Sequence, residues 1–87
     1  MAEVKIYTVD YCPYCKKAKA LLDKKGVQYQ EIDITDKPEM RNTLEQMTGG
    51  KNTVPQVFIN GTSVGGSTDL DDLNSSGKLD EMLDGKH

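Results

Sequence analysis

The chain has no tryptophan, one phenylalanine and one histidine, and its only two cysteines stand three positions apart. Two thiols and His87, the last residue, fall short of the four ligands a structural zinc site takes. Cysteines this close do not staple a fold, since secreted disulfide scaffolds carry four or more, spread to close large loops. No apolar run approaches the roughly 18 residues of a membrane span. The opening Met-Ala-Glu-Val-Lys lacks the basic and apolar regions of a signal peptide. Positive charge is not in excess either: 11 basic against 14 acidic side chains leave a net −3, which excludes the electrostatic footprint of a nucleic-acid binder. Repeats, low-complexity tracts and long linkers are lacking too. What is there, 87 residues of which 36% are hydrophobic, suits one small domain with a thin core. The expectation is a single domain over residues 1–87, monomeric and cytoplasmic, with no membrane or nucleic-acid partner.

Frequent punctuation cuts the chain into short elements. Residues 3–9 alternate Val4 and Ile6 with Glu3 and Lys5 and read as a strand. From Pro13 to Lys25 the pattern turns helical, with Cys15, Ala18, Leu21 and Leu22 on one stripe and Gly26 as the stop. Proline suits a first helical turn, where its missing N–H costs nothing. Val27 to Ile34 reads as a second, more polar strand at an edge. Thr35 and Asp36 are N-cap candidates for a helix carrying Met40, Leu44 and Met47, which Gly49-Gly50 ends. Pro55 to Asn60 is a third strand, and Asn60-Gly61 signals a hairpin into a short fourth strand around Ser63 and Val64. Gly65-Gly66 breaks that strand, and Ser67, Thr68 and Asp69 are caps for a helix with Leu70 and Leu73. A last short helix places Leu79, Met82 and Leu83 on one face. The order predicts a parallel βαβ unit with a right-handed crossover, completed by the hairpin into a four-stranded mixed α/β sheet.

Cys12-Pro13-Tyr14-Cys15 falls where the first strand hands over to a helix. Residues i and i+3 of a helix approach closely enough for a disulfide to form and break with little backbone movement. Cys12 at the helix N-terminus meets unpaired N–H groups and the positive end of the dipole, which favour a thiolate. Lys16, Lys17 and Lys19 add local positive charge despite the acidic whole. Cys15, one turn inside, should be more buried and harder to ionise. The pair is therefore read as catalytic, with Cys12 attacking and Cys15 resolving. An inert disulfide is the ordinary alternative, but across so short a loop it removes little unfolded-state entropy.

Two further stretches carry weaker signals. Thr53-Val54-Pro55 precedes the third strand. It is either an ordinary loop proline or a cis bond that offers the Val54 N–H and C=O to an extended thiol peptide. Gly65-Gly66-Ser67-Thr68-Asp69 opens a helix. It is either a tight capped turn or a place where free N–H groups take a carboxylate and Asp69 takes an ammonium.

Taken together, Cys-Pro-Tyr-Cys at 12–15, Thr-Val-Pro at 53–55 and Gly-Gly-x-x-Asp at 65–69 resemble glutaredoxin, in its short bacterial dithiol form. Ala-Lys-Ala-Leu-Leu (18–22), Val-Pro-Gln-Val-Phe-Ile (54–59) and Val-Gly-Gly (64–66) extend the likeness over nearly the whole chain. The resemblance implies a thioredoxin-like fold with strand order 2-1-3-4 and a cis Pro55. It also implies glutathione as co-substrate, with no tightly bound cofactor and no metal. The implied binding residues are Tyr14, Gln46, Lys51, Thr53, Val54, Pro55, Gly66, Thr68 and Asp69. The implied partners are glutathionylated or disulfide-bonded proteins, ribonucleotide reductase among them. Relatives commonly carry lysine where this chain has Val9, often threonine where it has Tyr11, and in some cases a third cysteine at Ser67. The reaction expected is thiol–disulfide exchange on protein–glutathione mixed disulfides and protein disulfides. A donor reduced by thioredoxin reductase, favoured by Val9, is the nearest alternative. An iron–sulfur carrier, whose relatives usually lack Pro13 or Cys15, and a non-catalytic interaction module stand further off.

Overall fold

A computed structural model describes residues 3–51 and 53–83. The N-terminal Met-Ala and His87 lie outside the described residues. The elements run β1 (Val4–Thr8), α1 (Pro13–Lys24), β2 (Gln30–Asp33), α2 (Pro38–Thr48), β3 (Gln56–Ile59), β4 (Thr62–Gly65), α3 (Ser67–Ser76) and α4 (Lys78–Leu83). The strands form one sheet in the order β2-β1-β3-β4, as the resemblance implied. β1 pairs in parallel with β2 and antiparallel with β3, and β3 pairs antiparallel with β4.

Alternation along the strands sorts the core into two layers. Val4 and Ile6 of β1 and Val57 and Ile59 of β3 pack with Ala18, Leu22, Leu70 and Leu79 from α1, α3 and α4. Tyr7, next after Ile6, and Phe58, between Val57 and Ile59, face the other way and join Val9, Cys12, Cys15, Ile34 and Leu44. Tyr7 and Phe58 meet edge to face at 5.6 Å between ring centroids, the favoured geometry for an aromatic pair. The two cysteines are thus part of the smaller core layer.

At the β3–β4 hairpin, Asn60 and Gly61 adopt φ of 53° and 81°, the doubly left-handed turn that their pairing in sequence announces. Asn60 also accepts from the Glu3 N–H through Oδ1 at 2.9 Å and donates its own N–H to the Glu3 carbonyl at 2.7 Å, tying the hairpin to the start of β1.

Helix starts differ from expectation in two places. α2 begins after Lys37 with no side-chain cap. Thr35, predicted as a cap, instead accepts from the Asp10 N–H at 3.0 Å and donates to Asp33, so its hydroxyl ties the end of β2 to the cysteine turn. α3 starts at Ser67, so Ser67 and Thr68 lie inside it and Gly66 holds the cap position. Asp69 reaches back to accept from the Gly66 N–H at 3.0 Å, half of a capping box, since glycine has no side chain to return the bond. Met47, placed on the apolar stripe by periodicity, is exposed at the last turn of α2, while Leu44 one turn earlier is fully buried.

Candidate active site

Strand direction decides which loops meet. β1 and β4 run one way and β3 the other. The end of β1, the start of β3 and the end of β4 therefore lie on one edge of the sheet. Those three places carry Cys12–Cys15, Thr53–Pro55 and Gly65–Asp69, and the topology gathers motifs that sequence separates by some fifty residues.

Cys12 occupies the N-cap position of α1 in extended conformation, and its Sγ accepts from the Cys15 N–H at 3.3 Å. A backbone donor and the N-terminal end of the helix thus face the sulfur. Cys12 is 9% exposed and Cys15 only 1%, and both are free thiols. Burial pushes the Cys15 thiol up to about 12, and the adjacent Cys12 sulfur adds to the shift. The predicted asymmetry between the two sulfurs is present in the packing. Among the described residues, Tyr11 and Tyr14 on either side of Cys12 are the most exposed large apolar side chains, Tyr11 at 71%.

The lysines following the cysteines are not equivalent. Lys19 is ion-paired with Glu31 at 2.9 Å. Lys17 lies over the Tyr14 ring at 5.5 Å from its centroid, a cation–π arrangement. Lys16 is exposed one turn beyond Cys12. Val9, where relatives commonly have lysine, is 4% exposed and packs in the core layer that holds both sulfurs.

The Val54–Pro55 bond is cis. The Cys12 thiol donates to the Val54 carbonyl at 3.7 Å, which supplies the separation that sequence left open. From there a groove of about 360 Å³ runs between the Thr53–Gln56 segment and the start of α3, lined by Tyr14, Lys51, Thr53, Val54, Pro55, Gly66, Thr68 and Asp69 together with Gln56 and Ser67. Eight of the nine predicted binding residues thus share one surface. The ninth, Gln46, lies along a separate hollow with Asn42, Glu45 and Gly50. A larger hollow of about 620 Å³ sits at the opposite edge of the sheet, around Val4, Val27 and Tyr29, and no thiol lines it.

The groove walls are tightly set. Gly65 has φ of 102°, and a Cβ built on it overlaps the Asp69 carboxylate, while one on Gly66 would stand 3.2 Å from the Pro55 carbonyl. The two glycines let α3 close against both its own cap and the cis-proline turn. Thr48 accepts from the Lys51 N–H at 2.9 Å and so fixes where Lys51 leaves α2. Sequence reasoning passed over Thr48 and Gln56, and named Ser67 only as a helix cap and as the place of a third cysteine in some relatives. Gln56 alone carried a signal, as a polar side chain opening an otherwise apolar strand.

Among the described residues no group of histidine, cysteine and carboxylate side chains is arranged to hold a metal, and no helix is long and apolar enough to cross a membrane.

Comparison with known proteins agrees with this geometry. The glutaredoxin family model matches residues 4–64. The glutaredoxin of Pseudomonas aeruginosa is 51% identical over 83 residues, covering 95% of this chain and 98% of that one. Glutaredoxin 3 of Escherichia coli is 46% identical, covering 95% and 99%. Among solved structures, a buckwheat glutaredoxin–glutathione complex superposes with a TM-score of 0.89 at 33% identity, covering 97% of this chain and 78% of that one. The Brucella melitensis glutaredoxin superposes with a TM-score of 0.84 at 48% identity, covering 95% and 89%. A sheet in the order 2-1-3-4, a thiol pair at a helix start and these relatives lead to one assignment: the chain belongs to the glutaredoxin family, thiol–disulfide oxidoreductases of thioredoxin-like fold.

Proposed function

We propose that the protein reduces protein–glutathione mixed disulfides and protein disulfides, drawing its electrons from glutathione. The observation that carries this reading is the groove that starts at the Val54 carbonyl, 3.7 Å from the Cys12 sulfur, and continues to Lys51 on one side and Thr68 and Asp69 on the other. A tripeptide thiol with its sulfur at Cys12 has carboxylates that suit Lys51 and the α3 N-terminus, and an ammonium that suits Asp69. The Val54 backbone is available to pair with its extended chain. The buckwheat relative is found in complex with glutathione, which supports glutathione as the ligand.

The exchange follows from the two sulfurs. Cys12 as thiolate attacks the glutathione sulfur of a mixed disulfide; the S–S bond breaks, the substrate thiolate leaves and takes up a proton, and Cys12 is left glutathionylated. A second glutathione thiolate attacks that adduct, releasing glutathione disulfide and Cys12. With a protein disulfide, Cys12 forms the mixed disulfide with one substrate sulfur. Cys15 then gives up its proton and attacks Cys12 Sγ, which expels the substrate dithiol and leaves Cys12–Cys15 oxidised for glutathione to reduce. Because burial holds Cys15 protonated, it does not compete for the first attack. This chemistry needs no resident metal or organic cofactor.

The test is turnover of a glutathionylated peptide coupled to glutathione reductase, run beside the same substrate coupled to thioredoxin reductase. Turnover is expected in the first arm and is lost in Cys12→Ser. Turnover only in the second arm would make thioredoxin reductase the reductant, and turnover in neither would remove the reading.

A further inference from the structure

β3 is apolar at Val57, Phe58 and Ile59 but opens on Gln56, whose side chain is as buried as its neighbours at 1% exposure. The amide Nε2 donates to Thr53 Oγ1 at 3.2 Å, bridging the two residues that flank Val54 and Pro55. Its Oε1 is buried with no hydrogen-bond partner. An orphaned buried acceptor lowers stability, and a leucine or methionine of similar volume would fill the same space without one. Packing therefore does not account for an amide at this position. Gln56 does, however, line the groove together with Thr53 and Lys51.

We propose that Gln56 is a positioning residue that fixes the direction of the Thr53 hydroxyl and thereby part of the groove's affinity for glutathione. The proposal rests on the glutathione reading above. A hydroxyl has one proton and two lone pairs. The Gln56 amide N–H occupies a lone pair of Thr53 Oγ1, and among the described residues the Thr53 hydroxyl donates to no partner, which leaves its proton for an acceptor in the groove. Thr53 is exposed on that side and stands two residues from Lys51, so an ammonium and a hydroxyl donor serve the same stretch of groove. That pairing suits a carboxylate of the ligand. Asp69 on the facing wall supplies the opposite sign. The amide thus serves ligand recognition at some cost to the fold.

The experiment measures glutathione KM and kcat on a glutathionylated peptide, with thermal midpoints alongside. Gln56→Leu should raise the glutathione KM roughly 3- to 10-fold, the worth of one hydrogen bond, with kcat within about twofold and the midpoint unchanged or higher. Gln56→Glu keeps the shape but reverses the bond, since a carboxylate only accepts and draws the Thr53 proton to itself; its KM should rise at least as much. In a Thr53→Val background, Gln56→Leu should have no further effect on KM. An unchanged KM in either Gln56 variant, or additive effects in the double variant, overturns the proposal while leaving the glutathione reading intact. If Gln56→Leu does not fold, the claim that packing leaves the amide unexplained is wrong and the proposal falls with it. A wild-type protein without glutathione turnover overturns the reading on which the proposal stands.

Discussion

The two ends of the site are built in different ways. The sulfur end comes from one stretch of chain, residues 9–15: Val9 and both cysteines are buried in one core layer, and a single helix start supplies the donor to Cys12. The groove end is assembled from three segments that meet only because β3 runs against β1 and β4, and it is polar and open, with Lys51, Thr53, Thr68 and Asp69 exposed along it. Under the proposed function the first end carries the reaction, and most of its parts lie within one short stretch of chain. The second, under the same proposed function, selects what is brought to the sulfur, and it depends on the whole sheet. Damage to one end should therefore be separable from damage to the other.

The largest effect belongs to the sulfur end. Cys12→Ser should reduce every exchange reaction to background, since the other thiol, Cys15, is buried. Cys15→Ser should keep turnover of glutathionylated peptide within roughly threefold of wild type while losing reduction of a protein disulfide. Loss of both activities in Cys15→Ser would mean that the buried sulfur shares in the first attack. The same asymmetry has a chemical readout. Iodoacetamide at pH 8 should label Cys12 and spare Cys15, whose thiol is pushed up to about 12. Mass spectrometry finding two adducts on folded protein would contradict it.

Next comes a change confined to the groove end. Gly65→Ala places a Cβ against the Asp69 carboxylate at a φ of 102°. The left-handed backbone alone should cost about 1–3 kcal/mol, with a fall in thermal midpoint of about 4–8 °C for each kcal/mol at this chain length. Asp69 must also let go of the Gly66 N–H, so turnover of glutathionylated peptide should fall. The iodoacetamide rate at Cys12 should stay as in wild type, because the small reagent does not use the groove. A parallel loss in both assays would show that the two ends are one mechanical unit.

How much of each end was legible in the sequence follows from the same contrast. Cys12, Cys15 and the helix between them are local, and strand-to-helix handover plus Pro13 located them directly. The strands were readable because alternation at Val4, Ile6, Val57 and Ile59 reports burial. Thr53, Val54 and Asp69 carry only turn and cap signals by themselves, so their shared groove became visible through the family's pattern of three motifs, not through their own chemistry. Gln46 was drawn from that pattern as well, yet its helix face points it to another hollow. The lysines misled in another way. Counting charge gave three cations beside the thiolate, whereas Glu31, twelve residues further along on β2, neutralises Lys19. Pairing across elements is what periodicity does not report.

That ion pair supplies the smallest effect and a control on the sulfur end. The Thr8 hydroxyl, donating at 2.7 Å from the buried side of β1, and then the Lys19 ammonium hold the Glu31 carboxyl below its usual range. Lys19 is raised in turn, first by its bond to Glu31. A depressed carboxylate contributes stability above its unfolded value, near 4.5, and loses it as pH falls through the folded one. A raised lysine contributes below its unfolded value of 10.5 and loses it as pH climbs through the folded one. The pair should therefore act between those limits and fade outside them. Because both side chains are partly exposed, Glu31→Gln should cost only about 0.2–1 kcal/mol at pH 7. The difference from wild type in thermal midpoint should close as the pH is lowered toward 3. A difference that stays constant with pH would make the contact one of packing rather than charge. Freed from Glu31, Lys19 also brings its charge to bear on Cys15, whose ionisation it already favours weakly. Burial dominates there, so Cys15 should remain unlabelled by iodoacetamide at pH 8 in this variant. Labelling of Cys15 in Glu31→Gln would show that a surface charge, and not burial, keeps the second sulfur silent.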